Sequence, residues 1–497
     1  MAQTLSRSTL SSSIVQPTSS NDVIAHVGVG GFSRSHLFSI LNSLYSTTPS
    51  SLSWSITGVG LKPWDARMYE ALSKQDYLYT VNELASGVDR ATVVTSLVDY
   101  APVFKDPMEM AKILEPKVKI VSLTVTEKGY TMDTNGDLDV NNEDVKKDIA
   151  NISKPNYSPT TNPPNTAVGL IAVVLLNRML CHPSLNPPTI MSCDNLPMNG
   201  NTTKKVVTQF VSLLNKPDLT SYLTTKVAFP NSMVDRITPV TLPEHVTSLS
   251  TNHNIKDNWP VVCEPFLQWV VEDTFTDGRP DFPSADGVIF TSSVEHYEFM
   301  KLRLLNSTHS SLSYISTLKG HKYVHEAMAD HDITKFVRSY MHELKKTLHP
   351  VPGIDLDEYI ETLIQRFSNP NIADTLDRLS MDGSGKFKAT LLPPLGEMKE
   401  KGLDVQGNAD GISLALAGYV KYYGEREETV PDPLKDELEG AGRKMKGDMG
   451  KSNVAAFLEI VFGELQWEQL VDNVYMWYMV LEEKGAAETL VSFNETR

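Results

Sequence analysis

The chain has 497 residues, of which 41% are hydrophobic and 21% are charged. This length exceeds what a single hydrophobic core usually serves, so we expect two domains. The 45 basic and 61 acidic residues give a formal net charge of −16, which disfavours binding to nucleic acid or to an anionic membrane through bulk electrostatics.

The N-terminal segment and the cysteines bear on the cellular compartment. Residues 1–20 are rich in serine and threonine, faintly like a transit peptide. A core strand beginning at Val23 leaves little room for a cleaved leader, so we expect residues 1–22 to be a disordered N-terminus. Cys181, Cys193 and Cys263 are too scattered for a disulfide framework. We expect reduced thiols, a cytoplasmic location and no membrane segment.

The N-terminal half alternates short β-branched runs with helical stretches, and the predicted strands are 23–30, 54–61, 92–98, 118–126 and 189–193. Strands separated by helices indicate βαβ units and a parallel sheet. Residues 131–165 form a polar insert, which we predict to be an exposed excursion. Its aspartate-rich start lacks the glycine and glutamate positions of a calcium loop and is predicted to be a polar turn.

Helical patterns dominate beyond residue 295, and the predicted helices are 296–318, 321–347, 356–368, 409–424 and 453–484. Residues 424–452 are charged and rich in glycine and proline, so we predict a surface connection there. The predicted fold class is therefore α/β. A Rossmann-type dinucleotide-binding domain over residues 23–290 precedes a mostly α-helical substrate and catalytic domain over residues 291–497.

A glycine-rich turn comes directly after the first predicted strand. Gly28, Gly30 and Gly31 lie between that strand and a helical stretch, which is the context of a dinucleotide fingerprint. Ser33 stands where the usual pattern has its third glycine. A structural strand-to-helix turn without a ligand is the alternative.

Two further strand ends carry candidate cofactor contacts. Asp65, beyond the second strand, is our candidate for binding the adenosine ribose and repelling a 2′-phosphate, which favours NAD over NADP. Lys62 nearby opens the alternative that a cation accepts the phosphate. Thr126 and Glu127 lie at the carboxyl end of another strand, where a parallel sheet binds its ligand.

The stretch KLRLLNSTH at 301–309 places Lys301, Asn306 and His309 in one apolar helical run. At roughly 100° per residue, and with Lys301 set at zero, Glu298 lies at about 60°, His309 at about 80° and Asn306 at about 140° around an α-helix. Burial of this face would desolvate the lysine and let it act as a base beside an amide donor. A solvated polar stripe on a surface helix is the alternative.

Chemical grounds also favour Lys301 as the base if the chain oxidises a secondary alcohol. Such enzymes use zinc, a tyrosine and lysine, a histidine or a lysine. No CxxC or HExxH motif occurs in the sequence, and we interpret His321 and His325 as surface residues, so we predict no metal site. Glu298 would relay the lysine's proton to solvent or hold the lysine in an ion pair.

The chain resembles the polyol-specific long-chain dehydrogenase/reductase family. The resemblance rests on KLRLLNSTH at 301–309 and on four further motifs: HVGVGGFSRSH at 26–36, TEKGY at 126–130, SCDNLPMNG at 192–200 and FPNSMVDRITP at 229–239. It implies that Phe32 and Arg34 belong to the cofactor site and that TEKGY lies near the nicotinamide. It also implies Asn195 as a second oxyanion donor with Asn306, and polyol contacts from His309, Asp235, Arg378 and Lys386.

The resemblance implies a metal-independent, NAD-dependent enzyme that interconverts D-mannitol and D-fructose, with a monomer as the expected state. Reduction of a hexuronate such as fructuronate or tagaturonate and oxidation of a hexitol phosphate are alternatives within the family, because Arg378 and Lys386 would suit an anionic substrate. A non-catalytic NAD-binding sensor is the alternative from a different class. Retention of the catalytic set argues against it.

Overall fold

The computed structural model describes residues 3–18, 22–447, 450–463 and 467–496. The chain divides into two compact units, Met1–Val294 and Glu295–Arg497, which we call unit 1 and unit 2. Within these described ranges, no helix is both long and apolar enough to cross a membrane.

The strands all lie in unit 1 as far as the structure describes the chain. They are β1 (Gln3–Thr4), β2 (Asp22–Val27), β3 (Trp54–Gly60), β4 (Tyr79–Ala85), β5 (Val88–Val94), β6 (Leu97–Pro102), β7 (Val118–Leu123), β8 (Thr189–Ser192), β9 (Ser232–Asp235), β10 (Ile255–Lys256), β11 (Val261–Cys263), β12 (Gln268–Glu272) and β13 (Val288–Thr291).

The α-helices of unit 1 are α1 (Gly31–Ser35), α2 (Leu37–Thr47), α3 (Ala66–Ser73), α4 (Met110–Leu114), α5 (Thr126–Gly129), α6 (Glu143–Ile152), α7 (Ala167–Cys181), α8 (Asn199–Leu213), α9 (Pro217–Lys226) and α10 (Pro243–His253). Short 3₁₀ turns occur at Arg7–Thr9, Pro49–Ser53, Pro63–Asp65, Pro107–Glu109 and Phe282–Ser284.

A five-stranded parallel sheet in the order β6-β3-β2-β7-β8 forms the centre of unit 1. Successive side chains of a strand point to opposite faces, so β2 serves two cores. Ala25 and Val27 join one apolar cluster with residues of α7, and Ile24 joins the other with residues of α2. Helices on both faces of a parallel sheet confirm the predicted Rossmann-type α/β class.

The predicted strand at 92–98 is wrong, because this stretch joins two strands. Its first residues end β5, which pairs antiparallel with β4 across a turn at Gly87, and its last residues begin β6 of the parallel sheet. Gly87 has a φ of 74°, which glycine adopts without strain. The antiparallel pairs β4–β5 and β9–β12 were not predicted.

Residues 3–18 differ from the disordered segment that we expected. β1 pairs parallel with β10, and the Arg7 guanidinium donates to the carbonyl oxygens of Thr95 at 3.0 Å and Leu97 at 2.8 Å. These bonds satisfy backbone acceptors beside the sheet. Residues 19–21 lie outside the described part of the chain.

The polar insert at 131–165 is more ordered than an exposed excursion. Its turn forms as predicted, with Asp133 accepting from the backbone N–H groups of Asn135 and Asp137. Beyond the turn, however, the insert contains α6, and the buried Asp148 of this helix accepts four hydrogen bonds from Asn165 and Thr166. This network fixes α6 against the start of α7.

Unit 2 is mostly helical over its described residues, as predicted. Its α-helices are α11 (Glu295–Met300), α12 (Ser307–Leu318), α13 (Val324–Ala329), α14 (His331–Lys345), α15 (Leu356–Phe367), α16 (Leu376–Ser380), α17 (Gly383–Glu400), α18 (Val405–Asn408), α19 (Asp410–Glu425), α20 (Lys435–Gly447), α21 (Lys451–Phe462) and α22 (Glu468–Glu495). A π-helical turn, Lys301–Asn306, joins α11 to α12.

The predicted elements of unit 2 need correction at several points. The predicted helix 321–347 is two helices, α13 and α14. The segment 424–452, predicted to be a surface connection, contains α20. The helix α17 was not predicted, because Pro393 and Pro394 indicate a break, yet both lie inside it. The predicted helix 453–484 spans two helices, α21 and α22, and α22 has non-helical backbone at Gly485.

The buried helix α19 supports the helical run that begins at Lys301. It packs against α12, α20 and α22. Where α19 crosses α20 the two backbones meet at glycines: a Cβ added to Gly442 would lie 2.7 Å from the backbone nitrogen of Gly424. The crossing therefore requires a residue without a side chain.

We expect Gly442→Ala to lower the free energy of unfolding of unit 2 by roughly 1–3 kcal/mol, because the helices must separate to admit the methyl group. The matched control is Gly440→Ala in the same helix, where an added Cβ meets no atom within 4 Å. That change should stabilise the protein by about 0.5–1 kcal/mol through helix propensity. Thermal unfolding of both variants measures the difference, and equal shifts would contradict the close crossing.

Candidate active site

The glycine turn after β2 has room for a ligand on its outer side. Gly28 has a φ of 88°, and an added Cβ there would lie 2.2 Å from the carbonyl oxygen of Thr124. At Gly30 and Gly31 an added Cβ would meet its nearest atom at 3.9 Å and 3.5 Å. The backbone is therefore packed tightly at Gly28 and open at the next two glycines, which fits close approach of a pyrophosphate to the start of α1.

A buried polar chain holds this turn from below. Thr124 Oγ1 donates to the carbonyl oxygen of Gly28 at 2.7 Å, and His26 contacts Thr124 Oγ1 through Nε2 and Ser122 Oγ through Nδ1, both at 2.8 Å. Because the threonine hydroxyl has one proton, Nε2 must donate and Nδ1 must accept. Burial lowers the pKa of His26 to about 3, so the ring is neutral.

The side chain of Arg34 is buried behind the turn. Its Nε donates to the carbonyl oxygen of Gly30 at 3.0 Å and its Nη1 to that of Trp259 at 2.5 Å. Both partners are backbone atoms, so these contacts fix the path of the glycine turn. Phe32 is half-buried and stacks on His36 with ring centroids 4.9 Å apart.

The TEKGY loop is anchored by a carboxylate. Asp194 accepts from the backbone N–H groups of Val125 at 3.0 Å and Thr126 at 2.8 Å, and from the Tyr130 hydroxyl at 2.7 Å. Burial raises the pKa of this carboxyl, and the backbone donors oppose that shift. The anchor holds Thr126, whose φ is 62°, and exposed Glu127 at the carboxyl end of β7.

Asn195 is the next residue after this anchor and is exposed. Asn199 is the buried first residue of α8. Its amide donates to the carbonyl oxygen of Ser232 at 2.8 Å and accepts from the backbone N–H of the same residue at 2.8 Å. These bonds join the start of α8 to the start of β9.

Asp235 lies at the end of β9 and is 5% exposed. Its neighbour Arg236 donates from Nη1 to the carbonyl oxygen of Ser35 at 2.6 Å and forms an ion pair with Glu83. Arg236 therefore connects the strand end that carries Asp235 to the last residue of α1. Sequence reasoning missed both Arg236 and His26. The signal that could have identified them is a polar residue within an otherwise apolar strand, as for His26, or within a quoted motif, as for Arg236.

The turn beyond β3 contains both candidates for recognition of the ribose. The carboxylate of Asp65 accepts from the backbone N–H of Lys62 at 2.9 Å. Burial raises the pKa of Asp65, and the backbone hydrogen bonds oppose that shift. The ammonium of Lys62 lies 2.7 Å from Asp144 Oδ2. The backbone of the turn thus fixes the Asp65 carboxylate, whereas the Lys62 ammonium contacts Asp144 of the polar insert.

In unit 2, Lys301 and Asn306 are the first and last residues of the π-helical turn. The predicted α-helical periodicity is wrong over these six residues, because i→i+5 bonding advances each residue by less than in an α-helix. Asn306 is therefore rotated less far from Lys301 than an α-helix would place it. Lys301 is 8% exposed, and Glu298, Asn306 and His309 are half-buried.

Buried contacts hold the π-helical turn in place. Arg303 donates to the carbonyl oxygen of Thr347 at 2.7 Å and forms a two-point ion pair with Glu397 at 2.6 and 3.1 Å. Beyond the turn, Ser307 Oγ lies 2.5 Å from the Tyr340 hydroxyl, and the ring of His309 lies 4.5 Å from that of Phe367. Turns of this type occur frequently at functional sites.

Arg378 and Lys386 lie on α16 and α17, which both pack against α12. The Arg378 guanidinium forms a two-point pair with Asp374, and Lys386 Nζ donates to the carbonyl oxygen of Leu379 at 3.0 Å. Burial lowers the pKa of Lys386. Both cations therefore have partners within unit 2.

His321 and His325 contact different partners. His321 Nε2 lies 3.5 Å from Asp330, and the ring of His325 stacks on Tyr323. Within the part of the chain that the structure describes, no group of three or more His, Cys, Asp or Glu residues is placed to hold a metal ion.

Two family models match the chain. One is described as mannitol dehydrogenase Rossmann domain and matches residues 22–284, and the other as mannitol dehydrogenase C-terminal domain and matches residues 293–482. A mannitol 2-dehydrogenase of Aspergillus oryzae is 39% identical over 431 residues, which cover 84% of this chain and 83% of that protein.

Two solved structures resemble this chain over nearly its whole length. A ternary complex of Pseudomonas fluorescens mannitol 2-dehydrogenase with NAD and D-mannitol is 35% identical, with a TM-score of 0.81 and 100% of both chains covered. A D-sorbitol dehydrogenase in substrate-free form is 29% identical, with a TM-score of 0.85, and covers 98% of this chain and 100% of its own.

The neutral His26 predicts acid sensitivity. Its ordinary pKa of 6.5 is lowered to about 3 in the fold, so below pH 6.5 the unfolded chain binds a proton that the folded chain does not. Stability should fall as the pH falls, by about 1.4 kcal/mol per pH unit within that window. In urea unfolding at pH 8 and pH 5, His26→Gln should lose roughly 2 kcal/mol less than the wild type between the two values.

The matched control is Ser122→Ala, which removes the Nδ1 partner and keeps the histidine. It should lower stability at both pH values and retain the steep pH dependence of the wild type. Parallel pH dependence in the wild type and His26→Gln would show that another group is responsible.

Proposed function

The chain belongs to the mannitol dehydrogenase family, and from that premise we propose that it is a metal-independent, NAD-dependent polyol dehydrogenase that interconverts D-mannitol and D-fructose. The observation that carries the proposal is the buried Lys301 at the start of a π-helical turn that ends in an amide, Asn306. It stands in a chain that has the two domains of that family and an open glycine turn.

The proposed chemistry places proton transfer on unit 2. Lys301 takes the proton from a secondary hydroxyl of the polyol while hydride leaves the carbon that bears this hydroxyl. Asn306 donates a hydrogen bond to the oxygen that gains negative charge, and the family resemblance gives Asn195 the same role. Uncharged donors suit a reversible reaction because they serve the ketone as well as the alkoxide. Glu298, three residues before Lys301, passes the lysine's proton to solvent.

The glycine turn and its surroundings bind the cofactor in this proposal. NAD, when bound, supplies the hydride acceptor. The turn of Gly28, Gly30 and Gly31 receives its pyrophosphate, and Asp65 accepts hydrogen bonds from its adenosine ribose. Arg34 acts through its two backbone partners by fixing the turn, and the loop of Thr126 and Glu127 lies on the nicotinamide side.

The contacts of the cationic residues favour a neutral polyol over a hexuronate or a hexitol phosphate. Arg378 is paired with Asp374, and Lys386 donates to a backbone carbonyl, so capture of an anionic group would require breaking one of these contacts. We propose that Arg378 and Lys386 instead orient hydroxyl groups, together with His309 and Asp235. Mixed donors and acceptors of this kind suit a polyhydroxy ligand.

D-Sorbitol is the second candidate substrate. The support is the likeness to a D-sorbitol dehydrogenase, at 29% identity and a TM-score of 0.85. D-Sorbitol and D-mannitol differ in configuration at one carbon, so the same donors would meet both, and the preference would depend on the contacts of a single hydroxyl.

Initial rates on a panel of substrates test the function. NADH consumption should be fast with D-fructose and at least about tenfold slower with fructose 6-phosphate or fructuronate, because the cations are already paired. NAD reduction should be faster with D-mannitol than with D-sorbitol, and the rates should survive dialysis against EDTA. Activity lost on chelation and restored by zinc would overturn the lysine mechanism, and NADH binding without turnover of any polyol would indicate a sensor.

Lys301→Ala should lower kcat by at least ~10²–10⁴-fold, the scale of general acid–base catalysis, and leave the Kd for NADH nearly unchanged. Added primary amines should restore part of the rate by replacing the missing base. The control is Lys301→Arg, which keeps the charge but cannot give up its proton near neutral pH, so it should be inactive and not respond to amines. Near-normal turnover of either variant would refute the role.

A further inference from the structure

The polar insert contributes one charged contact to the turn beyond β3. Asp144, at the start of α6, holds the ammonium of Lys62 at 2.7 Å, with side-chain exposures of 37% and 27%. The hydrogen bond from Lys62 lowers the pKa of the Asp144 carboxyl. Lys62 and Asp144 are 82 positions apart in the sequence, so this contact joins two separate segments of unit 1.

The same turn fixes a second carboxylate. Asp65 accepts from the backbone N–H of Lys62, and an added Cβ on Gly60 would lie 3.1 Å from the Cβ of Asp65. Trp64 lies between Lys62 and Asp65 in sequence and is 74% exposed. The Lys62 ammonium is 5.8 Å from the centroid of the Trp64 ring. Asp144 also has a second cation beside it, Lys147, at 3.5 Å from its other oxygen.

Resting on the proposed function, we propose that Asp144 is a residue that determines cofactor preference, because it holds Lys62 away from the 2′-position of the adenosine ribose. At this corner a 2′-phosphate would meet Asp65 directly, and Lys62, the cation of the β3 turn, is already neutralised. Exclusion of NADP would thus depend on two carboxylates, one beside β3 and one supplied by the insert.

The charge arithmetic of the corner gives the direction of the effect. Asp65 and Asp144 carry two negative charges, and Lys62 and Lys147 carry two positive charges, both of which contact Asp144. Replacing Asp144 by asparagine keeps the size of the side chain and leaves Lys62 free to pair with a phosphate. Lys147 also loses its carboxylate partner. The change therefore favours the phosphorylated cofactor, because it removes a carboxylate whose charge has the same sign as the 2′-phosphate.

Asp144→Asn tests the inference through the Kd values of NADH and NADPH, measured by nicotinamide fluorescence, and through kcat/KM with each cofactor. The NADPH preference, expressed as the Kd ratio of NADH to NADPH, should rise at least about fivefold, the scale of one partly exposed ion pair. The gain should shrink at high salt, because these groups are accessible to solvent. In a Lys62→Gln background the same substitution should have less than half of its effect.

Glu143→Gln is the matched control, since Glu143 is the neighbouring residue and pairs with Lys146 on the surface. It should leave the ratio unchanged. A ratio within twofold of the wild type for Asp144→Asn, an equal shift in Glu143→Gln, or a full effect without Lys62 would each overturn the inference. Wild-type protein that binds NADH but converts no polyol would refute the proposed function alone, because the Kd ratio still tests Asp144. Failure to bind either cofactor would refute both.

Discussion

The hydrogen bond from Thr124 to the carbonyl oxygen of Gly28 joins the two strand ends on which the site of unit 1 depends. Parallel strands end with backbone groups that the sheet leaves without partners, and buried groups of this kind need hydrogen bonds. Here side chains supply them: Thr124 with His26 below the glycine turn, and Asp194 below the TEKGY loop. The loops are consequently fixed before any ligand arrives, which is the condition for precise binding.

In unit 2, side chains likewise hold an irregular segment, the π-helical turn Lys301–Asn306, in place. A π-helical turn replaces the i→i+4 hydrogen bonds of an α-helix by i→i+5 bonds and is rare in proteins. The two-point pair of Arg303 with Glu397 and the bond from Arg303 to Thr347 hold the turn to two other segments of the same unit. Arg303 has no part in the proposed chemistry, so support of the turn and catalysis are assigned to different side chains of the same six residues.

Elements that depend on apolar pattern and composition were predictable from the sequence, whereas contacts between polar groups were not. The parallel strands were predictable because β-branched runs such as the one around Ile24 are buried on both faces. The hairpin of β4 and β5 was missed because polar residues hide its alternation, and α17 was missed because Pro393 and Pro394 normally break helices. The buried place of Arg34 was beyond prediction, because its partners are carbonyl oxygens that any residue carries.

The π-helical turn also bears on how this stretch of chain can change in length. Removing one residue between Lys301 and Asn306 would restore ordinary α-helical bonding, and the helices on either side would keep nearly the same phase, because the turn spreads one additional residue over nearly the same rotation. A deletion elsewhere in the helical run would instead rotate everything before it by about 100° relative to everything after it. The turn is therefore the place where this run can lose a residue with the least effect on the flanking helices, and what such a deletion removes is one of the side chains between Lys301 and Asn306.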